Sequence, residues 1–168
     1  MLLKITLEAM LQSWGLPKVN GDYFPTGTMP TKTGLVGLIG CVMGIPRNDA
    51  RLEALMSELC FSVVPYSNDG IMTDFHVINV TEDRPMYQAN GEKTKREQAN
   101  SIITKRGYIQ SGKFDVYISG DISLLKDIEN AFLHPHWTPY LGRKCCPVSA
   151  PLIPAWVEAP DAAARDIS

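Results

Sequence analysis

The first residues alternate between apolar and polar side chains, which is the pattern of a half-buried β-strand. Leu3, Ile5, Leu7 and Ala9 fall on one face of this strand, with polar side chains between them. Residues 12–29 are rich in Gly, Pro, Asn and Thr and lack any periodicity, so they are predicted to form a loop. The chain is therefore expected to begin with a sheet strand and not with a signal peptide.

Three segments predict helices, and each is preceded by a side chain that can cap it. A threonine of residues 30–33 opens the first, whose apolar residues run over 35–45. Asp49 precedes the second, in which leucine and methionine recur at i, i+3, i+4 and i+7. Asp121 or Ser123 precedes the third, which should end before a His-Pro pair. The apolar stripes of these helices are expected to face the core.

Four further stretches are rich in β-branched and aromatic residues and are predicted to be strands. They are residues 61–66, 71–80, 108–119 and 152–158. Residues 68–70, Asn-Asp-Gly, make a good hairpin turn between the first two. Residues 81–107 are polar and basic without an apolar face, and are interpreted as an insertion that projects from the sheet as a long hairpin.

The order of these elements is β, α, β, insertion, β, α, β. This order predicts an α+β, ferredoxin-like domain of the RNA-recognition-motif type. The domain is expected to span residues 1–158, with the inserted hairpin at 81–107. Residues 159–168 are small and polar and are expected to form a loosely held tail.

Composition narrows the class of protein. The chain of 168 residues is 45% hydrophobic and 20% charged, which suits a folded chain with one core and excludes a disordered or fibrous protein. Three glycines interrupt the longest apolar stretch, which is too short to cross a bilayer, so a soluble protein is expected. Because the first residues do not form a signal peptide, it is expected to be cytoplasmic. The four cysteines form no C-x-x-C pair and the three histidines complete no tetrahedral site. No metal or other cofactor is therefore expected.

Positive charge is concentrated around the predicted insertion. The net charge of the whole chain is −2, yet residues 91–113 hold six basic and two acidic side chains. The basic residues are Lys93, Lys95, Arg96, Lys105, Arg106 and Lys113. Such a distribution suits a protein that grips a polyanion with one projecting element, although a solvated charged loop is the alternative.

Two segments near the amino terminus are candidate nucleic-acid contacts. Trp14 directly follows the first strand, where it would stack on a base, and Gln12 would read a base edge. The alternative for Trp14 is that it seals the end of the core. Thr31, Lys32 and Thr33 lie at a helix start, where free backbone N–H groups, hydroxyls and an ammonium favour a phosphate. The alternative there is an ordinary capped helix.

A third candidate is the loop of residues 139–147, which carries two adjacent cations and an aromatic side chain. Arg143 would grip a phosphate with its fork or stack on a base, and Lys144 adds a point charge. Tyr140 would stack on a base, and Gly142 permits the turn. An Arg-Lys pair that faces solvent is the alternative.

Four motifs taken together resemble one protein family. They lie at residues 12–15 (QSWG), 30–40 (PTKTGLVGLIG), 43–47 (MGIPR) and 140–147 (YLGRKCCP). In this combination and order they resemble the CasD family, CRISPR-associated protein 5 of the type I-E Cascade complex. The resemblance covers roughly residues 2–151, and the predicted element order agrees with it.

The resemblance implies an RNA-recognition-type domain that caps one end of a ribonucleoprotein. Such a subunit holds the 5′ handle of the CRISPR RNA against the Cascade backbone and large subunits. Family members carry a thumb-like β-hairpin in the sheet domain, and residues 81–107 sit where that thumb would be. Members usually continue beyond the last sheet strand, whereas this chain stops at Ser168. Either the chain is truncated or another subunit supplies that function.

The rival hypothesis is a metal-independent endoribonuclease that processes CRISPR repeat RNA, as relatives in another CRISPR type do. Cleavage by 2′-hydroxyl attack needs a general base, usually histidine, and a cation near the same phosphodiester. The candidates for the base are His76, His134 and His136. Their sequence surroundings form no convincing catalytic constellation, so a non-catalytic RNA-binding subunit is the leading expectation.

Overall fold

The fold combines an antiparallel sheet with three helices in the described part of the chain. A computed structural model describes residues 1–17, 22–79 and 101–167. In chain order the elements are β1 (Leu2–Gln12), β2 (Tyr23–Phe24), α1 (Lys32–Met43), α2 (Ala50–Glu58), β3 (Cys60–Ser67), β4 (Ile71–Asn79), β5 (Ser101–Ser119), α3 (Ile122–Leu133), β6 (Ala155–Val157) and β7 (Arg165–Ile167). The expected mixture of helices and sheet strands is confirmed.

The main sheet has the strand order β6-β1-β5-β3-β7, and all neighbours in it are antiparallel. The alternation predicted for β1 is confirmed, since Leu3, Ile5, Leu7 and Ala9 are each 2% exposed or less. These side chains join one hydrophobic cluster with the apolar faces of α1 and α3. The core therefore lies between the helices and one face of the sheet.

The three helices begin where the sequence predicted. The Thr31 side chain caps α1 by accepting a hydrogen bond from the Gly34 N–H at 3.2 Å. Asp49 caps α2, and Asp121, not Ser123, caps α3. Each cap satisfies a backbone N–H that the helix itself leaves unpaired.

The Asn-Asp-Gly segment at residues 68–70 is not a hairpin turn, which corrects the expectation. Both β3 and β4 pair antiparallel with β5 and run in the same direction, β3 along its second half and β4 along its first half. The pairing extends from Cys60↔Ser119 to Asn79↔Ser101. Hydrogen bonds of Gln110 to Asp69 and Gly70 continue the ladder across the interruption. Gly70 has a φ of 96°, so this segment absorbs a local distortion instead of reversing the chain.

Part of the predicted insertion is ordinary strand. Residues 101–107 belong to β5 and pair with β4, while β2 pairs in parallel with β5 on its other side. Residues 80–100, which connect β4 to β5, lie outside the described residues.

The carboxyl-terminal residues differ from the expected loose tail. β7 pairs with β3 over three residues, and the Ser62 hydroxyl donates a hydrogen bond of 2.6 Å to Asp166. Ile167 packs against the core. The physical reason is that β3 would otherwise present unpaired backbone groups at the sheet edge, which β7 satisfies.

Among the described residues, no helix is long and apolar enough to cross a membrane.

Candidate nucleic-acid interface

The loop of residues 139–147 is closed on itself by backbone hydrogen bonds. Tyr140 and Pro147 form an isolated antiparallel bridge at its base. The Leu141 N–H donates to the Cys146 carbonyl at 2.9 Å, and the Cys146 N–H donates to the Arg143 carbonyl at 2.8 Å. The loop is therefore a fixed turn that presents the side chains at its tip in a defined position.

The same loop is docked against the end of β1. The Ser13 N–H donates to the Leu141 carbonyl at 3.1 Å. Gly142 has a φ of 92°, and a Cβ atom there would lie 1.6 Å from the Ser13 carbonyl oxygen. Only glycine fits this close approach in the left-handed region.

Arg143 fastens the loop to two strands. Its guanidinium donates to the carbonyls of Gly107 at 3.1 Å and Phe24 at 3.2 Å. It also lies over the Tyr108 ring, 4.7 Å from the ring centroid. A planar fork can make these contacts at once, which an ammonium cannot. Arg143 is therefore a structural clamp as well as a cation.

Four cations meet at one cavity beside this loop. The cavity has a volume of about 410 Å³, and we call it the cationic pocket. Its lining residues are Arg47, Arg106, Tyr140, Gly142, Arg143, Lys144 and Cys145. The cations come from the α1–α2 connection, from β5 and from the 139–147 loop, and no carboxylate of the described residues belongs to this lining. The pocket therefore gathers positive charge from three separate parts of the chain.

This charge is not neutralised by ion pairs within the described residues. The ion pairs found there are Lys4–Asp115, Arg51–Asp49 and Lys113–Glu8, and the His76 imidazole contacts the Asp74 carboxylate. None involves a cation of the pocket. Cations that repel one another without a counter-charge favour an incoming anion, and arginine forks match the oxygens of a phosphate.

Comparison with known proteins identifies the family of the chain. Residues 2–167 match the family described as CRISPR-associated protein (Cas_Cas5). The chain belongs to this family. The resemblance inferred from the four sequence motifs is thus confirmed.

A curated relative and two solved structures are similar to this Cas5 family member over most of its length. It is 33% identical over 166 residues to "CRISPR system Cascade subunit CasD" of Escherichia coli (strain K12), covering 95% of this chain and 72% of the relative. A chain of a "CRISPR RNA-guided surveillance complex" superposes with a TM-score of 0.73 at 28% identity. That match covers 91% of this chain and 62% of the other.

The second structure is titled "Crystal structure of Cas protein" and has a TM-score of 0.62 at 26% identity. It is matched over 96% of this chain and 68% of that one. The chain therefore spans between 62% and 72% of the length of these relatives.

The basic residues predicted from the sequence of this Cas5 family member separate in space. Arg106 lines the cationic pocket and lies over the Phe24 ring, 5.9 Å from its centroid. Lys105 is exposed and points to the opposite face of β5, because successive side chains of a strand alternate. The predicted cations Lys93, Lys95 and Arg96 lie outside the described residues.

Gln12 and Trp14 are buried, which corrects the expectation that they contact RNA. Trp14 is 1% exposed, and its indole N–H donates to the Gln12 side chain at 3.0 Å. Gln12 is fully buried and donates to the Gly112 carbonyl at 2.6 Å. A Cβ at Gly34 would lie 2.7 Å from the Trp14 ring, so α1 packs directly on it. The structure favours the alternative in which Trp14 seals the core.

The start of α1 does not line the cationic pocket. The Thr31 hydroxyl is used as the helix cap, and Lys32 is half-buried. Thr33 is exposed and lines a neighbouring cavity together with Gly34.

Arg47 lines the pocket but was not among the site residues predicted from the sequence. It belongs to one of the four motifs and is the only cation between α1 and α2. That position alone gave no sign that it would meet Arg143, since their approach depends on how α1 packs against the end of the sheet.

None of the three histidines lines the cationic pocket. His76 lies in β4 with its Nε2 atom 2.5 Å from the Asp74 carboxylate. His134 ends α3, and the His136 ring packs against Gly44.

Proposed function

We propose that this chain is a non-catalytic, cytoplasmic subunit of a Cascade-type complex that holds the 5′ handle of the CRISPR RNA. The relative from Escherichia coli is named as a Cascade subunit, and one structural match is a chain of an RNA-guided surveillance complex. Both support membership of such an assembly, with the Cascade backbone and large subunits as further partners.

The observation that carries the proposal is the cationic pocket. Four positive charges meet at one cavity whose lining, in the part of the chain that the structure describes, contains no carboxylate; they belong to Arg47, Arg106, Arg143 and Lys144. The main ligand chemistry that such a pocket favours is a phosphate group, and an RNA backbone presents phosphates in series. Exposed Lys144 would add a point charge and exposed Arg47 a fork, whereas Arg143 would use the part of its fork that faces the pocket.

The fold supports an assignment to the ferredoxin-like, RNA-recognition-motif type. In the strand order β6-β1-β5-β3, helices α1 and α2 connect β1 to β3, and α3 connects β5 to β6. This is the order of a split βαβ arrangement. The long pairing of β4 with the first half of β5 supports a thumb-like hairpin, whose cations at residues 93–96 stay a prediction.

RNA is proposed to bind at the end of the sheet and not on its open face. RNA-recognition motifs stack bases on aromatic side chains of that face. In this chain Asp115 lies at the centre of the open face of the sheet. It accepts hydrogen bonds from Thr6 and Tyr66 and forms an ion pair with Lys4. Burial alone would raise the pKa of Asp115, but these partners lower it below its usual value. The carboxylate is therefore ionised at neutral pH and neutralises Lys4, so this pair offers no uncompensated positive charge to a phosphate.

A charge-reversal experiment tests the proposal on the purified chain. Lys144→Glu should weaken binding of a single-stranded handle RNA strongly, because it adds a negative charge to the phosphate site. Lys126→Glu on the exposed side of α3 is the matched control, with the same change in net charge away from the pocket. Equal affinities of the two variants would contradict the proposed site.

The same RNA tests whether the chain is an enzyme. Incubation of labelled repeat RNA with the chain in EDTA should leave the RNA intact. Specific cleavage that is lost in a His76, His134 or His136 to Ala variant would instead establish the endoribonuclease hypothesis.

A further inference from the structure

A groove continues from the cationic pocket along α1. Two cavities of about 550 Å³ each lie next to the pocket, and Tyr140 lines all three. Trp137 and Cys41 line both of these cavities, and Gly37 and Leu38 line one of them. We call these two joined cavities the aromatic groove. Their size is in the range of small-ligand sites.

Trp137 is exposed in this groove. Its side chain is 44% exposed, whereas Trp14 is 1% exposed and Trp156 is half-buried with its N–H bonded to Glu129. The His136 ring meets the Trp137 ring edge to face, with the centroids 5.0 Å apart and the planes at 70°. Part of the indole is therefore open to a ligand.

The charge around the groove selects the kind of occupant. Arg47 lines one cavity and Lys144 lines the other, and among residues 1–17, 22–79 and 101–167 neither lining contains an aspartate or a glutamate. An apolar protein segment would cover these cations without neutralising them, which costs free energy. A nucleotide offers both a flat ring for the indole and an anion for the cations.

Gly37 supports an external occupant. It is exposed in the interior of α1, and a Cβ there would meet nothing within 4 Å. The other three glycines of this helix region have internal reasons, since Gly34 packs on Trp14, Gly40 packs on Leu52, and Gly44 takes a φ of 71° at the helix end. Alanine is favoured over glycine at an exposed helix position, so the described fold does not itself require glycine there.

We propose that the aromatic groove holds an unstacked base of the RNA strand whose phosphates occupy the cationic pocket. The base stacks on Trp137, with Tyr140 at the junction between the base and the phosphates. Gly37 leaves the room that the flat ring needs. This inference rests on the proposed function, because it requires that RNA binds at the pocket.

The test compares single-stranded RNA with an abasic ribose-phosphate polymer of the same length. The wild-type chain should bind RNA more tightly than the abasic polymer. Trp137→Ala should weaken RNA binding about ten- to a hundred-fold, the usual effect of losing one base–aromatic stack. The same substitution should leave the affinity for the abasic polymer unchanged.

A second variant fills the groove without removing the indole. Gly37→Leu should reduce RNA affinity in the same way, since its side chain would occupy the space of the base. Ala54→Leu on the exposed side of α2 is the matched control and should bind RNA like the wild type. Thermal melting of both variants should show that the fold is retained.

The outcomes separate this inference from the proposed function. Equal binding of RNA by the wild type, Trp137→Ala and Gly37→Leu would overturn the base site, even if Lys144→Glu still abolished binding. Equal losses for RNA and the abasic polymer would overturn it as well. Failure of the wild type to bind either polymer would remove the proposed function itself. If Trp137→Ala disrupted only assembly with protein subunits, the groove would be a protein-docking site instead.

Discussion

Arg143→Lys is predicted to weaken the fold while keeping the charge of the cationic pocket. Lysine cannot donate to the carbonyls of Gly107 and Phe24 together, nor lie flat over the Tyr108 ring. A hydrogen bond from a charged donor contributes about 1.5–3 kcal/mol, and an exposed cation–π contact about 0.5–1 kcal/mol. Because Arg143 is half-buried and lysine can keep one contact, we expect a loss of about 1–3 kcal/mol.

Urea unfolding followed by circular dichroism measures this loss. In a thermal unfolding experiment on a domain of this size, each kcal/mol lost from the free energy of unfolding lowers the Tm by about 2–4 °C. Lys144→Arg is the matched control, because this exposed neighbour makes no side-chain hydrogen bond or ion pair within the described residues, and it should unfold like the wild type. A wild-type unfolding midpoint for Arg143→Lys would refute the structural role assigned to this guanidinium. Arg143→Ala would lose the clamp and the charge together, so its effect on RNA binding could not be assigned to either.

Three further predictions concern other parts of the molecule. Gly142→Ala should lower the free energy of unfolding, measured in urea, by about 2–5 kcal/mol. The reason is that residue 142 has a φ of 92° and that the alanine Cβ would lie 1.6 Å from the Ser13 carbonyl oxygen. Wild-type stability would contradict the tight docking of this loop. The lowered pKa of Asp115 means that its ionised form stabilises the fold above the unfolded pKa of about 3.9, and that this contribution is lost as the pH falls through the lower folded value. Asp115→Asn should therefore lose this part of the acid dependence of the unfolding midpoint, and an unchanged dependence would argue against it. Burial raises the pKa of Cys146 to about 12, so an alkylating reagent at neutral pH should label exposed Cys145 before buried Cys146. Bound RNA should slow the labelling of Cys145, which lines the cationic pocket, but not that of exposed Cys60. Labelling of Cys145 that is unaffected by RNA would place the RNA elsewhere.

The local signals in the sequence predicted most of the elements. Alternation identified β1, and candidate capping residues marked the helix starts. The structure selects Thr31 for α1 and Asp121 over Ser123 for α3, and confirms Asp49 for α2. The prediction of a hairpin turn at residues 68–70 was wrong because the same Asn-Asp-Gly composition also suits a local distortion within a long strand. Only the pairing partner decides between the two, and β5 lies far away in sequence.

The site was harder to predict because it depends on contacts between distant segments. The 139–147 loop was identified from its own cations, glycine and tyrosine, and the four motifs named the family. Arg47 reaches the cationic pocket only through the tertiary packing of α1 against the end of the sheet, which no local sequence pattern predicts. For Trp14 the sequence predicted a site residue that the structure places in the core. An aromatic residue directly after a strand is compatible both with stacking on a base and with packing at the end of the core. Gly142 was predicted only to permit a turn. The structure shows that it is also required for packing, because the Ser13 backbone occupies the space that a side chain would need.

The central claim is that the cations of the pocket contact RNA phosphates. Its most direct test is the salt dependence of handle-RNA binding by the wild type, Arg47→Ala, Lys144→Ala and the control Lys126→Ala. Each lost phosphate contact should reduce the slope of log K against log salt by about 0.7 for single-stranded RNA. We predict that reduction for Arg47→Ala and for Lys144→Ala, and an unchanged slope for Lys126→Ala. Slopes that are the same for all four proteins would contradict the claim.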